Sequence, residues 1–365
     1  MQLEFFPSKT LTFYLARLFI VRILAVLVML VLVLMMLDLL SKTGEILSAP
    51  GNGQAELLRY ASLRVPQLIQ SFLPYSVLLA TLITLVALNQ NSEVIAMKAS
   101  GLSAHQVLAP LLLTAGLLSV VSFAFNERVV TRATATLKAW ESAEWGTAPP
   151  DSAVRSNVYL TDGRNVLTAA TITGSGDNIA MENVTWYERA EGGMIRQEVR
   201  AASATFANPG WRLTKPVRFD VATAVTDNPG PLLVGQGLTP DQIELETVDA
   251  DTEPFWELSG SIEAYEAVGR RTSELRAKWW HKLSGPLSAV LMPLLGSIAA
   301  FGLARSGQLF LRAIIGMALG FAYFVVDNAA LAMGNFGGYP PFLAAWAPFL
   351  LFVLIGETVL VRTEE

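Results

Sequence analysis

The chain has 365 residues, 52% hydrophobic and 16% charged, with a formal net charge of −5, two histidines and no cysteine. So apolar a composition lies outside the range of ordinary soluble domains. The missing thiols exclude disulfides and thiolate metal sites, and the net acidity argues against a nucleic-acid partner.

The first apolar run, about Leu18 to Leu40, is interrupted only near its ends, by Arg22 and Asp38. It is long enough to cross a hydrocarbon core of roughly 30 Å as a helix, which takes about 20 residues. A cleavable signal peptide would have a shorter apolar region followed directly by small residues, so a retained helix is expected. Comparable runs follow at about Pro66 to Leu88, Val107 to Phe125, Lys282 to Leu303, Leu309 to Met333 and Pro341 to Val361. Six transmembrane helices are expected, three before and three after a segment of different character.

That segment, Trp140 to Ser261, alternates apolar and polar residues in short runs such as "NVYLT", "NVTWYE" and "WRLTKPVRFDV", broken by "TDGRN", "GSGDN", "EGG", "ANPG" and "DNPGP". Period-two alternation between Gly, Asn, Asp and Pro clusters marks short strands joined by turns. An open sheet edge cannot be satisfied in lipid, so an all-β sandwich or roll outside the bilayer is expected. Its first or last strand, with Asn157 to Leu160 and Val217 to Val221 as the candidate positions, is expected to accept a strand from a partner. The expected organisation is residues 1–139 for three helices, 140–261 for the β domain and 262–365 for the last three helices.

Helical extensions are expected on both flanks of the β domain. Asn126 to Glu144 carries Arg128, Arg132 and Lys138, and Ser261 to Lys282 carries five Lys or Arg beside Trp279 and Trp280, an aromatic pair suited to a membrane interface. With Lys42, Arg59 and Arg64 added, the domain side outnumbers the opposite side, which has Lys9, Arg17, Arg22, Lys98, Arg305, Arg312 and Arg362. Lys and Arg concentrate on the cytoplasmic side in most membrane proteins, so the count opposes an outward β domain. The leading flank of the first helix, with three cations, still favours a cytoplasmic N-terminus, and an anionic ligand at the outer leaflet would account for the outward excess.

No Gly-x-Ser-x-Gly, His-Glu-x-x-His or Gly-x-x-x-x-Gly-Lys-Ser/Thr occurs, and His105 and His281 read as ordinary boundary histidines. No catalytic group, metal or cofactor is therefore expected. Asp38 and Asp327 lie late in their apolar runs, where an ionisable group is either functional or hydrated at the interface. Gly316 and Gly320 form a Gly-x-x-x-Gly, suited to close helix approach within the chain or to a partner.

The remaining feature is residues 91–101, "NSEVIAMKASG", between the second and third runs. Asn91 or Ser92 reads as a cap, Glu93 as a first-turn acid, Val94, Met97 and Ala99 as apolar contacts and Gly101 as a stop. A short helix along the cytoplasmic membrane face is expected.

The stretch "SEVIAMKASG" resembles the Ser-Glu-x-x-x-Met-x-Ala-Ser/Cys-Gly coupling helix of the lipopolysaccharide-export permeases, the LptF/LptG family, also labelled YjgP/YjgQ. The whole chain is similar to that family in plan, and "LTFYLARLF" resembles its opening helix, with Phe13 where the family usually has Arg. The resemblance implies a β-jellyroll in the periplasm and an ATPase-docking role for Glu93, Met97, Ala99 and Gly101. It implies contacts of Lys42 and Lys138 with the phosphates of lipopolysaccharide, to which Arg128 and Arg132 are added by proximity alone. Met35 falls where another cation is often found. The "ASG" ending, "WWHKLSGPLSAVLM" and "GFAYFVVDN" look more like the LptG branch than the LptF branch. The implied partners are lipopolysaccharide, the sister permease LptF, a dimer of the ATPase LptB that binds the ATP, the periplasmic LptC and membrane lipids, in the bacterial inner membrane. The rival reading outside transport is a membrane scaffold, which needs neither a docking helix nor outer cations.

Overall fold

The computed structural model of the chain describes residues 7–146, 155–161, 164–173, 179–190, 193–239, 248–267, 270–297 and 309–364. The helices are α1 (Lys9–Ser48), α2 (Gln54–Gln90), α3 (Glu93–Ala99), α4 (Ala104–Phe125), α5 (Thr131–Ser142), α6 (Phe255–Ala267), α7 (Ser273–Gly296), α8 (Leu309–Asn335) and α9 (Pro341–Glu364). A π-helical turn, Asn126–Val130, joins α4 to α5. Among the described residues eight strands, β1 (Arg155–Thr161) to β8 (Leu232–Val234), lie between α5 and α6.

Among the described residues, five helical stretches are long and apolar enough to cross a membrane: Lys9–Ser48, Gln54–Gln90, Ala104–Ser142, Ala313–Asn335 and Pro341–Arg362. The expected fourth crossing is not among them. Its described part, α7, carries Glu274, Arg276, Lys278 and Lys282 near its start, and the end of that run, after Ser297, lies outside the described residues.

The strands form one antiparallel sheet in the order β1-β2-β3-β4-β5-β8, with β6 (Val217–Asp220) paired to β4 and to β7 (Val225–Asp227). The long β4 (Ile195–Ala207) meets β3 (Ala180–Arg189) along its length, β5 (Gly210–Thr214) at one end and β6 at the other. Such branching curls the sheet. Buried residues run Leu167, Ala169, Ile172 on β2 (Val166–Thr173), Met181, Val184, Trp186 on β3 and Val199, Ala201, Ala204 on β4, so the alternation slips once in each strand at the same level. Asn183, with φ 51°, sits at that level. These side chains, with Trp211 and Leu213, make the sheet's core, and the buried Trp211 indole donates to the Leu238 carbonyl at 3.0 Å.

The expected free edge at Val217 to Val221 is corrected here. Asp220 accepts from the amides of Ala222 and Thr223, closing a turn that folds β7 back on β6, and Arg218 pairs with Asp227 across that hairpin. β6 is therefore flanked on both sides, whereas β1 has β2 as its single strand partner among the described residues.

The chain divides into two compact units, Met1–Asp38 with Val65–Val130 and Pro254–Glu365, and Leu39–Arg64 with Thr131–Glu253. In the first, α7 packs against α4, α8 and α9, and Tyr75 of α2 stacks on Phe324 of α8 with centroids 3.9 Å apart. Gly316 and Gly320 face α2: a Cβ on Gly316 would lie 3.1 Å from Leu82 Cδ2, and one on Gly320 would overlap the buried Leu78. The Gly-x-x-x-Gly thus serves a contact inside the chain. Gly356 of α9 is pressed in the same way against Leu294 of α7.

Leu78 is 4% exposed and has little room to move. Gly320→Val should therefore destabilise the helical unit by about 1–3 kcal/mol through overpacking. The expected reading is a lower unfolding midpoint of the purified chain in detergent, with a smaller loss for Gly316→Ala.

Candidate functional site

α3 is a two-turn helix whose ends are built differently from each other. Ser92 precedes it in a left-handed conformation, φ 61°, and makes no side-chain cap bond, so the expected Asn or Ser cap does not form. The reason is the tight exit from α2, in which the Asn91 and Ser92 amides bond back to Ala87 and Asn89. At the other end Gly101, φ 90°, gives a bond to Lys98 O at 3.0 Å while the Leu102 amide reaches Met97 O at 3.2 Å, the paired bonds of a glycine-stopped helix. The next helix, α4, is capped reciprocally by Ser103 and Gln106.

Val94 and Met97 are buried, one turn apart, and seat α3 beside α4. Ala99 is exposed, not an apolar contact as expected, because it follows Met97 by two residues and so points away from that face. Ile95, Ala96, Lys98 and Ala99 are all exposed, and Ile95 keeps 52% of its surface open. Glu93 is half-buried, and its Oε2 accepts a hydrogen bond from the Tyr14 hydroxyl at 3.1 Å. Tyr14 has no local signal of this role, since 79 residues separate the pair.

The four candidate headgroup cations behave in two ways. Lys42 donates to Glu45 at 2.9 Å and to Glu141 at 3.1 Å, and stands 5.7 Å over the Trp145 ring. Beside it opens a cavity of about 640 Å³ lined by Glu45, Glu141, Glu144 and Trp145 among others. Trp145 packs edge-on against Trp140 and Tyr60, and Arg59 covers Trp140 at 5.6 Å, so this corner is rigid and largely acidic. Lys138 is 2.5 Å from Asp249 and 4.0 Å from Asp251. Arg128, on the π-helical turn of the first unit, and Arg132, on α5 of the second, are exposed and make no ion pair among the described residues. The family-matched lysines are thus occupied, and the arginines chosen by proximity are the open ones.

Other cations on the flanks are also matched. Arg276 lies 2.6 Å from Glu266, whose carboxyl is held below the usual range first by the Thr272 hydroxyl and then by Arg276. Lys282, nearly buried, points at Glu127 at 4.0 Å, and the other oxygen of Glu127 takes the Phe255 amide at the start of α6 at 2.5 Å. Of the two late-run acids, Asp38 is half-buried, whereas Asp327 is 7% exposed and faces His281 Nε2 at 3.0 Å. His281, read as an ordinary boundary residue, is therefore the partner of a buried acid.

The family described as lipopolysaccharide export system permease LptF/LptG matches residues 13–362. The chain belongs to that family. The permease protein LptG of Escherichia coli is 26% identical over 325 residues, covering 87% of this chain and 89% of its own length. The LptG of Haemophilus influenzae is 23% identical over 310 residues, covering 84% of this chain and 86% of its own. The family match takes in Tyr14, α3, all four candidate cations and both glycines of α8, so each candidate site lies in the family's own span.

The anchoring of α3 can be tested alone. Met97→Ala removes one of its two buried side chains and should cost about 2 kcal/mol locally. Amide exchange over residues 93–99 should then accelerate about tenfold or more, with the unfolding midpoint of the whole chain nearly unchanged.

Proposed function

We propose that the chain is the LptG-type permease subunit of an inner-membrane transporter that takes lipopolysaccharide from the outer leaflet and hands it to a periplasmic bridge. The observation that carries this reading is the family match across residues 13–362, which includes the α3 coupling segment. The LptG assignment is favoured over LptF by the relatives named above, both LptG proteins. In this reading α7 and the residues after it complete a sixth crossing, and the curled sheet is the periplasmic jellyroll.

The chain supplies binding and movement, not chemistry. α3 presents Ile95, Ala96, Lys98 and Ala99 to a groove on the ATPase LptB, with Glu93 at the helix start to pair with a cation there. LptB, as a dimer, binds and hydrolyses the ATP. LptF completes the membrane cavity, and LptC receives the lipid through a sheet edge, for which β1 is the open candidate. The phosphates of lipopolysaccharide meet Arg128 and Arg132 directly, and take Lys42 and Lys138 by displacing their carboxylate partners. A phosphate and a carboxylate offer an ammonium similar charge-assisted bonds, so the exchange costs little in either direction.

Two measurements test the reading. Glu93→Lys should lower recovery of the ATPase with the membrane complex while insertion stays normal; full recovery would sink the docking role. Neutralising Lys42, Lys138, Arg128 and Arg132 together should cut lipopolysaccharide crosslinking per assembled complex severalfold, with basal ATP hydrolysis retained. Unchanged crosslinking at low and raised salt would remove the headgroup role.

A further inference from the structure

Glu93 is held at both carboxylate oxygens. Oε2 accepts from the Tyr14 hydroxyl at 3.1 Å and Oε1 from Asn91 Nδ2 at 3.3 Å. α3 by itself fixes this side chain only weakly: its N-cap makes no side-chain bond and it spans seven residues. Tyr14, by contrast, stands on a helix of 40 residues. Its ring is 43% exposed and Phe13 beside it 70%, so burial of the ring does not explain where the hydroxyl points. The bond to Glu93 does.

A freely turning glutamate loses up to about 2 kcal/mol of side-chain entropy when it is fixed in a contact. One oriented beforehand has already lost most of it, which strengthens the contact without adding a new one. The phenol and the amide use one lone pair on each oxygen, and a carboxylate has about four acceptor sites, so both oxygens remain able to receive a cation.

We propose that Tyr14 is a positioning residue that pre-orients Glu93 for a cationic side chain of the ATP-hydrolysing partner. This rests on the reading of α3 as the docking element. It assigns the start of α1 a part in partner recognition, with Asn91 as the lesser support.

The test is a double-mutant cycle on the full permease complex in detergent, titrated with its own organism's ATP-hydrolysing subunit. Tyr14→Phe keeps the exposed ring and removes the donor, and should weaken binding about three- to tenfold, the range for an ordinary hydrogen bond. Asn91→Ala should weaken it less. Glu93→Gln should weaken it at least as much as Tyr14→Phe, and adding Tyr14→Phe to Glu93→Gln should change nothing further, with the unfolding midpoint constant throughout. If Glu93→Gln weakens binding and Tyr14→Phe does not, positioning by Tyr14 is overturned while docking through Glu93 stands. Equal losses from Tyr14→Phe in both backgrounds would also overturn it, since the tyrosine would then act by another route. No loss from Glu93→Gln would overturn the docking reading itself and the inference built on it.

Discussion

A peptide group left without a hydrogen bond in hydrocarbon costs several kcal/mol, and that requirement sorts this chain into its parts. Where the sequence is apolar for 20 residues or more the backbone is helical, and where it alternates it forms a sheet outside the apolar helices. Side chains obey the same rule. The buried hydroxyls of Thr81, Thr84 and Thr114 each donate to the carbonyl four residues back, at 2.6–2.7 Å, and so present no open polar group to a neighbouring helix. Asp327 instead takes a partner from a second helix, His281 of α7, as Ser122 of α4 does from Gln70 of α2.

Helix association also depends on shape. Gly316 and Gly320 against Leu82 and Leu78, and Gly356 against Leu294, let large side chains fill the place of a missing Cβ. The π-helical turn at Asn126–Val130 is where α4 gives way to α5 and where Glu127 takes both the Phe255 amide and the approach of Lys282. Such wide turns favour positions of functional change in helices. Here it puts a nearly buried acid at the end of the first unit's share of that helix, with Arg128 facing outward on the next residue.

Period and hydropathy are local properties, and the features that depend on them were legible in the sequence: the apolar helices, the strands with their Gly, Asn and Pro turns, and a short helix between α2 and α4. Features that depend on distant partners were not. Glu45 is three residues from Lys42 and was within reach of such a reading, but Glu141 is 99 residues from Lys42 and Asp249 is 111 from Lys138, so a tally of cations along the chain could not show those pairings. The Ser92 cap failed because residue type suggests a cap only when the chain enters in extended geometry, and here it leaves α2 by a left-handed turn. Val217 to Val221 looked like an edge because β7 is only three residues long, too short for its alternation to be read.

These pairings change what the excess of Lys and Arg on the flanks of the β domain means. Carboxylates contribute little to the orientation rule, so the count still opposes an outward β domain. They do enter the local field, however, and Lys42, Lys138, Arg276 and Lys278 each face an acid within 3.4 Å, so much of the excess is neutralised inside the chain. An anionic headgroup is then not needed to explain why those cations are there. What a transporter needs is different: a site must hold its cargo and also release it, so binding that is too tight stops turnover. In the proposed reading a lysine already shared between carboxylates would meet that need: it would accept a phosphate only by giving up an equivalent partner, and the same partner would be at hand to take it back when the lipid moves on.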